Sequence, residues 1–285
     1  MEALVAEGMR RVSIPELQKM KDRGEKISML TAYDYPTAQL LDTAGVDVLL
    51  VGDSLGMVML GYDSTVYVTL EEMIHHVKAV VRGTQRALVI GDLPFGSYNE
   101  DPAQAIRSAT RLMKEGGCAA VKLEGGIEMA PTVRAVVEAG IPVVGHVGLL
   151  PQTATKVGGY KVQARTAEDA LALVQSGRAL EKAGAFMVVV EAVPAAVGTL
   201  LSRSLAVPVI GIGAGVGCDG QVLVAPDMLG LQEELAPRYL KRYAHLADTV
   251  EDAVRRYVSE VKAETFPAEE HVYPMDPEEE AKLGS

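Results

Sequence analysis

Apolar residues along this chain gather in short runs, separated by longer stretches in which apolar positions recur at helical spacing. The runs at 27–32, 48–52, 87–91, 120–123, 143–147, 186–190, 207–212 and 221–225 are apolar on both faces, as strands of a parallel sheet covered by helices are. The stretches between them carry helix ends. Residues 36–43 stop at Gly45, 132–139 at Gly140 and 166–182 at Gly184, while 101–115 stop at Gly116-Gly117. Thr69-Leu70-Glu71-Glu72 is a capping box that opens a helix towards Arg82 and Gly83. Ser13-Ile14-Pro15-Glu16 reads as another, opening a short leading helix, and 237–264 as a long charged helix broken at least once.

This alternation predicts an α/β fold, a (β/α)8 TIM barrel with an N-terminal leading helix. An open doubly wound sheet is the alternative. The barrel is preferred because polar residues end at least four different strands, whereas an open sheet gathers its site at one switch point. The connection from Ile212 to Gln221 is too short for a crossover helix, so a turn or a single helical turn is expected there. Neither a linker nor an internal repeat is visible. Residues 1–262 read as one barrel domain and 263–285 as an acidic tail.

Composition narrows the function. The 285 residues are 48% hydrophobic but only 5% aromatic, so Ala, Val, Leu and Gly do the packing. The net charge of −11 is uneven: from Ala263 onward seven acids face Lys282 alone, a tail of −6 that leaves −5 for the body. So mild an acidity argues against nucleic acid as a partner. Cys118 and Cys218 form neither a metal-ligand spacing nor a disulfide framework, which suits a cytoplasmic protein. The N-terminus mixes Glu2, Glu7, Arg10 and Arg11 and lacks the apolar core of a signal peptide. No run approaches membrane-spanning length, so no membrane partner is expected.

Four of the strand-like runs end on a carboxylate: Asp53, Asp92, Glu124 and Glu191. Desolvating a lone carboxylate is costly unless a metal or a cation pairs with it. Neighbouring strands lie about 4.8 Å apart, so Asp53 and Asp92 could share one divalent cation, and oxygen ligands suit Mg²⁺. Helix capping is the alternative for each. Lys122 and Glu124 are two apart and point to one face. They form either a structural ion pair or a cation for a substrate carboxylate beside an acid that holds metal-bound water. Glu191, with no Lys or Arg close in sequence, suits a general base or a helix cap. His146, in Gly145-His146-Val147-Gly148-Leu149-Leu150-Pro151-Gln152, is either structural or a substrate contact. Gly211-Ile212-Gly213-Ala214-Gly215 looks like half a dinucleotide fingerprint but fails its structural context.

Ordered motifs across nearly the whole chain resemble the ketopantoate hydroxymethyltransferase family. They include Leu30-Thr31-Ala32-Tyr33-Asp34-Tyr35, Val51-Gly52-Asp53-Ser54-Leu55-Gly56-Met57, Asp92-Leu93-Pro94-Phe95-Gly96-Ser97-Tyr98, Val121-Lys122-Leu123-Glu124-Gly125-Gly126 and Asp219-Gly220-Gln221-Val222-Leu223-Val224. The resemblance implies a phosphoenolpyruvate/pyruvate-type barrel that uses Mg²⁺ and takes a one-carbon unit from 5,10-methylenetetrahydrofolate to 3-methyl-2-oxobutanoate, giving 2-dehydropantoate for pantothenate and coenzyme A. Carried over by position, Asp53 and Asp92 match metal ligands, and Glu124 a carboxylate on the metal directly or through water. Ser54 and Lys122 match substrate-binding positions and Glu191 the general base. A homodecamer or other large homo-oligomer is also implied. The chain departs from the family pattern at Pro226-Asp227, where His-Asp is usual, and at Ala164, where Gly is expected. A different enolate-forming barrel enzyme, or a non-catalytic small-molecule-binding barrel, are the rival readings.

Overall fold

A computed structural model of the chain describes residues 11–232 and 237–284. Eight strands, β1 (Ile27–Thr31), β2 (Val48–Val51), β3 (Leu88–Asp92), β4 (Ala120–Glu124), β5 (Val143–Gly148), β6 (Met187–Glu191), β7 (Val209–Ile212) and β8 (Gly220–Leu223), close into a barrel in chain order. Every neighbouring pair is parallel, including β8 with β1. The closed barrel, and not the open sheet, is the outcome.

Two apolar layers follow from the strand period of two. Met29, Leu50, Ile90, Val144, Val189 and Ile210 form one buried cluster, the barrel interior. Val12 and Leu17 join it. The leading helix α1 (Ile14–Arg23) therefore closes the amino-terminal end of the barrel. The alternate residues, such as Leu49, Val89, Val121 and Val188, face outward and pack with residues of the surrounding helices. Those are α2 (Tyr35–Thr43), the short α3 (Leu55–Val58), α4 (Leu70–Gly83), α5 (Pro102–Arg111), α6 (Ala130–Glu138), α7 (Ala167–Lys182) and α8 (Ala195–Ser204).

The Thr69 capping box forms in full: the Thr69 hydroxyl accepts the Glu72 N–H, and Glu72 accepts the Thr69 N–H. The Ser13 box does not. Ser13 sits at the N-cap without a side-chain cap bond, and Glu16 instead receives Arg23. The β7–β8 connection holds no helix, as its length requires. Residues 101–115 turn out less uniform than expected, since α5 ends at Arg111 and a π-helical turn, Leu112–Gly116, follows.

The largest correction concerns 237–264. Residues 237–245 form turns and bends, and only α10 (Leu246–Lys262) is helical, after a short α9 (Ala225–Met228). None of the α10 residues is buried. The outward residues of the strands that an eighth helix would cover are correspondingly open: Ser28 of β1 and Gln221 of β8 are exposed. Among the described residues no helix is long and apolar enough to cross a membrane, and both cysteines are free and buried. The charged stretch with Glu2, Glu7 and Arg10 lies outside the described residues.

Candidate active site

The strand period that fills the interior also aims the chemistry. Asp92, Lys122, Glu124, His146 and Glu191 share the inward parity of the buried apolar residues below them; Asp92, Glu124 and Glu191 end their strands, and Lys122 and His146 lie two residues before the ends of theirs. The register sets them side by side around the rim: Asp92 pairs with Lys122, Glu124 with His146, and Gly148 with Glu191. Asp53 and Ser54 follow β2 directly.

These side chains form one chain of contacts. Lys122 Nζ lies 2.7 Å from Asp92 Oδ1 and 3.4 Å from His146 Nδ1. His146 Nδ1 lies 3.4 Å from Glu124 Oε1, and its Nε2 lies 3.3 Å from Glu191 Oε2, without hydrogen-bond alignment. Asp92 Oδ2 accepts the Asp53 N–H at 3.2 Å. Glu191 therefore has a partner, His146, which its sequence neighbourhood did not reveal. Neither Asp53, Asp92 nor Glu191 caps a helix. The caps of α3, α5 and α8 are Ser54, Asp101 and Pro194.

Burial sets the electrostatics. It pushes the Asp53 carboxyl well above the usual range, and repulsion from Asp92 and Glu124 adds to the shift. Asp92 is likewise raised by burial, in spite of Lys122. Burial opposes ionisation of Glu124 too, but His146 and Lys122 outweigh it and hold that carboxyl low. Burial and Lys122 disfavour charge on His146, yet Glu124 and Glu191 prevail and raise it to about 9. Four carboxylates thus meet two cations, Lys122 and His146.

Such a site has room for one more positive charge. Asp92 Oδ1 is buried with the Lys122 ammonium 2.7 Å away, and Asp53, which no cation contacts directly, is pushed towards protonation by burial and then by its acidic neighbours. The donors are oxygens, as Mg²⁺ requires. Among the described residues no three or more His, Cys, Asp or Glu form a ready cage. Glu124 is already engaged, its Oε2 accepting the Gln152 N–H at 3.1 Å.

Several residues at the rim were not singled out from sequence. Gln152 Nε2 donates to Asp53 Oδ2 at 2.8 Å, and the Tyr98 hydroxyl donates to Gln152 Oε1 at 2.5 Å. The Tyr33 hydroxyl lies 2.8 Å from Ser54 Oγ. The Tyr160 hydroxyl reaches Met57 Sδ at 3.4 Å, joining the loop after β5 to that after β2. One signal did exist: the chain has 10 Tyr against 3 Phe and no Trp, so its aromatic residues come with hydroxyls that need partners. Pro226, one of the departures, sits buried in the first turn of α9, where Pro is favoured. Ala164, the other, has φ +55°, the left-handed backbone that explains the expectation of Gly.

Residues 11–269 match the family model described as ketopantoate hydroxymethyltransferase. A 3-methyl-2-oxobutanoate hydroxymethyltransferase of Carboxydothermus hydrogenoformans is 54% identical over 270 residues, 95% of this chain and 98% of that protein. One of Chloroflexus aurantiacus is 54% identical over 276 residues, 96% and 98% of the two chains. Among solved structures, a phosphoenolpyruvate phosphomutase of Streptomyces platensis subsp. rosaceus matches with a TM-score of 0.59 at 17% identity, covering 92% of each chain. A 2,3-dimethylmalate lyase, a member of the PEP mutase/isocitrate lyase superfamily, matches at 0.55 and 16%, over 95% of this chain and 97% of its own. These structures share the barrel. With its length covered and half its residues shared with named relatives, the chain belongs to the ketopantoate hydroxymethyltransferase family.

Proposed function

We propose that this enzyme transfers a one-carbon unit from 5,10-methylenetetrahydrofolate to 3-methyl-2-oxobutanoate, giving 2-dehydropantoate for pantothenate and coenzyme A biosynthesis. The observation that carries the reading is the convergence of Asp53, Asp92, Lys122, Glu124, His146 and Glu191 on one rim. Asp53 and Asp92 would hold Mg²⁺, with Glu124 reaching it through water. The cation supplies positive charge beside the oxygens of the oxo acid, worth several kcal/mol to a developing anion.

The protein's own groups do the rest. Lys122 and Ser54 orient the substrate carboxylate, Ser54 being fixed by Tyr33. Glu191 takes the proton from C3, a step in which a placed base contributes roughly 10²- to 10⁴-fold. His146 sets a positive charge beside the Glu191 carboxylate, its Nε2 3.3 Å away. The C3 carbanion equivalent attacks the methylene carbon of the folate. The bonds from that carbon to nitrogen break in turn, water supplies the hydroxyl, and tetrahydrofolate leaves with 2-dehydropantoate.

Enzyme and Mg²⁺ without folate are expected to exchange the C3 hydrogen of the oxo acid with D₂O, followed by NMR. Glu191→Gln is expected to lose that exchange while keeping the fold. Full exchange in the variant would remove Glu191 as the base.

The same reading places the enzyme in the cytoplasm as a large homo-oligomer, a homodecamer being the family expectation. Supporting it, α10 presents Val250, Val254, Tyr257, Val258 and Val261 on one exposed face, an apolar stripe of the kind that marks an interaction surface. A second copy of this chain is the occupant proposed.

A further inference from the structure

We infer that Gln152 is a positioning residue: clamped by Tyr98, it holds Asp53 by Oδ2 and so sets the carboxylate that receives the cation. The inference rests on the proposed role of Asp53 as a metal ligand and assigns the group that prepares it.

Hydrogen-bond accounting fixes the amide. Burial raises the Tyr98 phenol, which therefore keeps its proton. It has one to give, and Gln152 Oε1 at 2.5 Å is a nearer acceptor than the Glu124 carbonyl at 3.3 Å. The phenol oxygen in turn accepts the Glu124 N–H at 3.2 Å, so the ring is tied to β4. With Oε1 committed to Tyr98, the Gln152 amine faces the other way. Its two hydrogens meet two acceptors, Asp53 Oδ2 at 2.8 Å and the Leu93 carbonyl at 3.0 Å. Turning the amide over would set Oε1 against both of those oxygens and its amine against a donor.

The placement is built for one purpose. Gln152 is 3% exposed, and its backbone N–H grips Glu124 Oε2 at 3.1 Å while its side chain grips Asp53. One residue after β5 thus bridges the acids that follow β2 and end β4. A donor on a carboxylate is a charge-assisted bond and favours the ionised, cation-ready form. Partners of this kind fix ligand orientation in metal sites.

Mn²⁺ serves as the probe, titrated by calorimetry into the enzyme without folate, with the melting temperature recorded alongside. Gln152→Leu keeps the bulk but neither donates nor accepts. It is expected to weaken Mn²⁺ binding about 10- to 100-fold. Tyr98→Phe, which frees the amide to turn over, is expected to shift affinity the same way by less. A residue that merely packs would change the melting temperature and leave Mn²⁺ affinity alone. Parental affinity in folded Gln152→Leu overturns the inference. Should that variant not fold, parental affinity in Tyr98→Phe overturns it. A parent enzyme that takes up no Mn²⁺ is a separate result, which removes the metal site and the function proposed above.

Discussion

His146 is the residue on which the rim's charge balance turns. Its Nδ1 meets both Lys122 and Glu124 and its Nε2 meets Glu191, and the two acids prevail. Its pKa in the fold, about 9, lies above the ordinary 6.5. The imidazolium therefore contributes stability that is fully present below about pH 6.5 and is lost as pH rises through about 9. Metal-free enzyme is expected to melt at progressively lower temperature over that window. His146→Gln is expected to flatten the profile, and an unchanged slope in that variant would remove His146 as the cause. Most of the rim was readable in the sequence, because strand ends announce themselves: an apolar run followed by a charge needs only the period of two to be oriented. Gln152 was not readable. It follows Pro151 at the start of a 3₁₀-helical stretch, Pro151–Val157, and meets Asp53 across 99 positions of chain. Gln152 stands in the motif around His146, but spacing alone gives it no role, because its partners lie on other strands.

At the scale of elements, the seam between β5 and β6 shows how tightly backbone geometry serves the site. Gly148 has φ +94°, and a Cβ there would run into the Glu191 carbonyl oxygen. The glycine lets the two strand ends close, bringing the proposed base within reach of His146. Beyond β6, Ala192 is also left-handed, at φ +49°, and its carbonyl accepts the Gln163 N–H at 2.8 Å. Ala164 follows at +55°. A left-handed residue with a Cβ costs about 1–2 kcal/mol. Glycine at 164 relieves that but adds roughly 0.5–1 kcal/mol of chain entropy. Ala164→Gly is expected to raise stability by up to about 1 kcal/mol, read as a higher denaturant midpoint. A lower midpoint would mean that the Ala164 methyl packs more usefully than its backbone strains. Sequence patterning located these strands to within a few residues, since burial on both faces leaves little freedom. It overextended the helix at 237–264, because charge and spacing alone do not show where a chain that leaves its own barrel stops turning.

For the molecule as a whole, α10 is the element whose place its own barrel does not explain. It comes after β8, where the eighth covering helix belongs, yet it buries nothing while Ser28 and Gln221 stay open. Apart from Tyr257, which meets Phe266 edge to face, the stripe is left exposed among the described residues, and such a stripe reads as an interface, consistent with the homo-oligomer proposed. Val254→Asp with Tyr257→Asp is expected to lower the assembly mass by light scattering and to leave the barrel's circular dichroism unchanged. An unaltered mass would place the interface elsewhere. This outcome could not be read from the chain alone. The sequence shows an amphipathic helix, and only the finished barrel shows that the helix is unused.

The leading helix has a consequence for traffic. Val12 and Leu17 close the far end of the β-cylinder, which leaves the carboxyl-terminal rim as the open end among the described residues. Under the function proposed, an oxo acid seated low against Lys122 and Asp92 would have to arrive before the bulky folate covered it, and its product would depart only after the spent carrier had cleared the way.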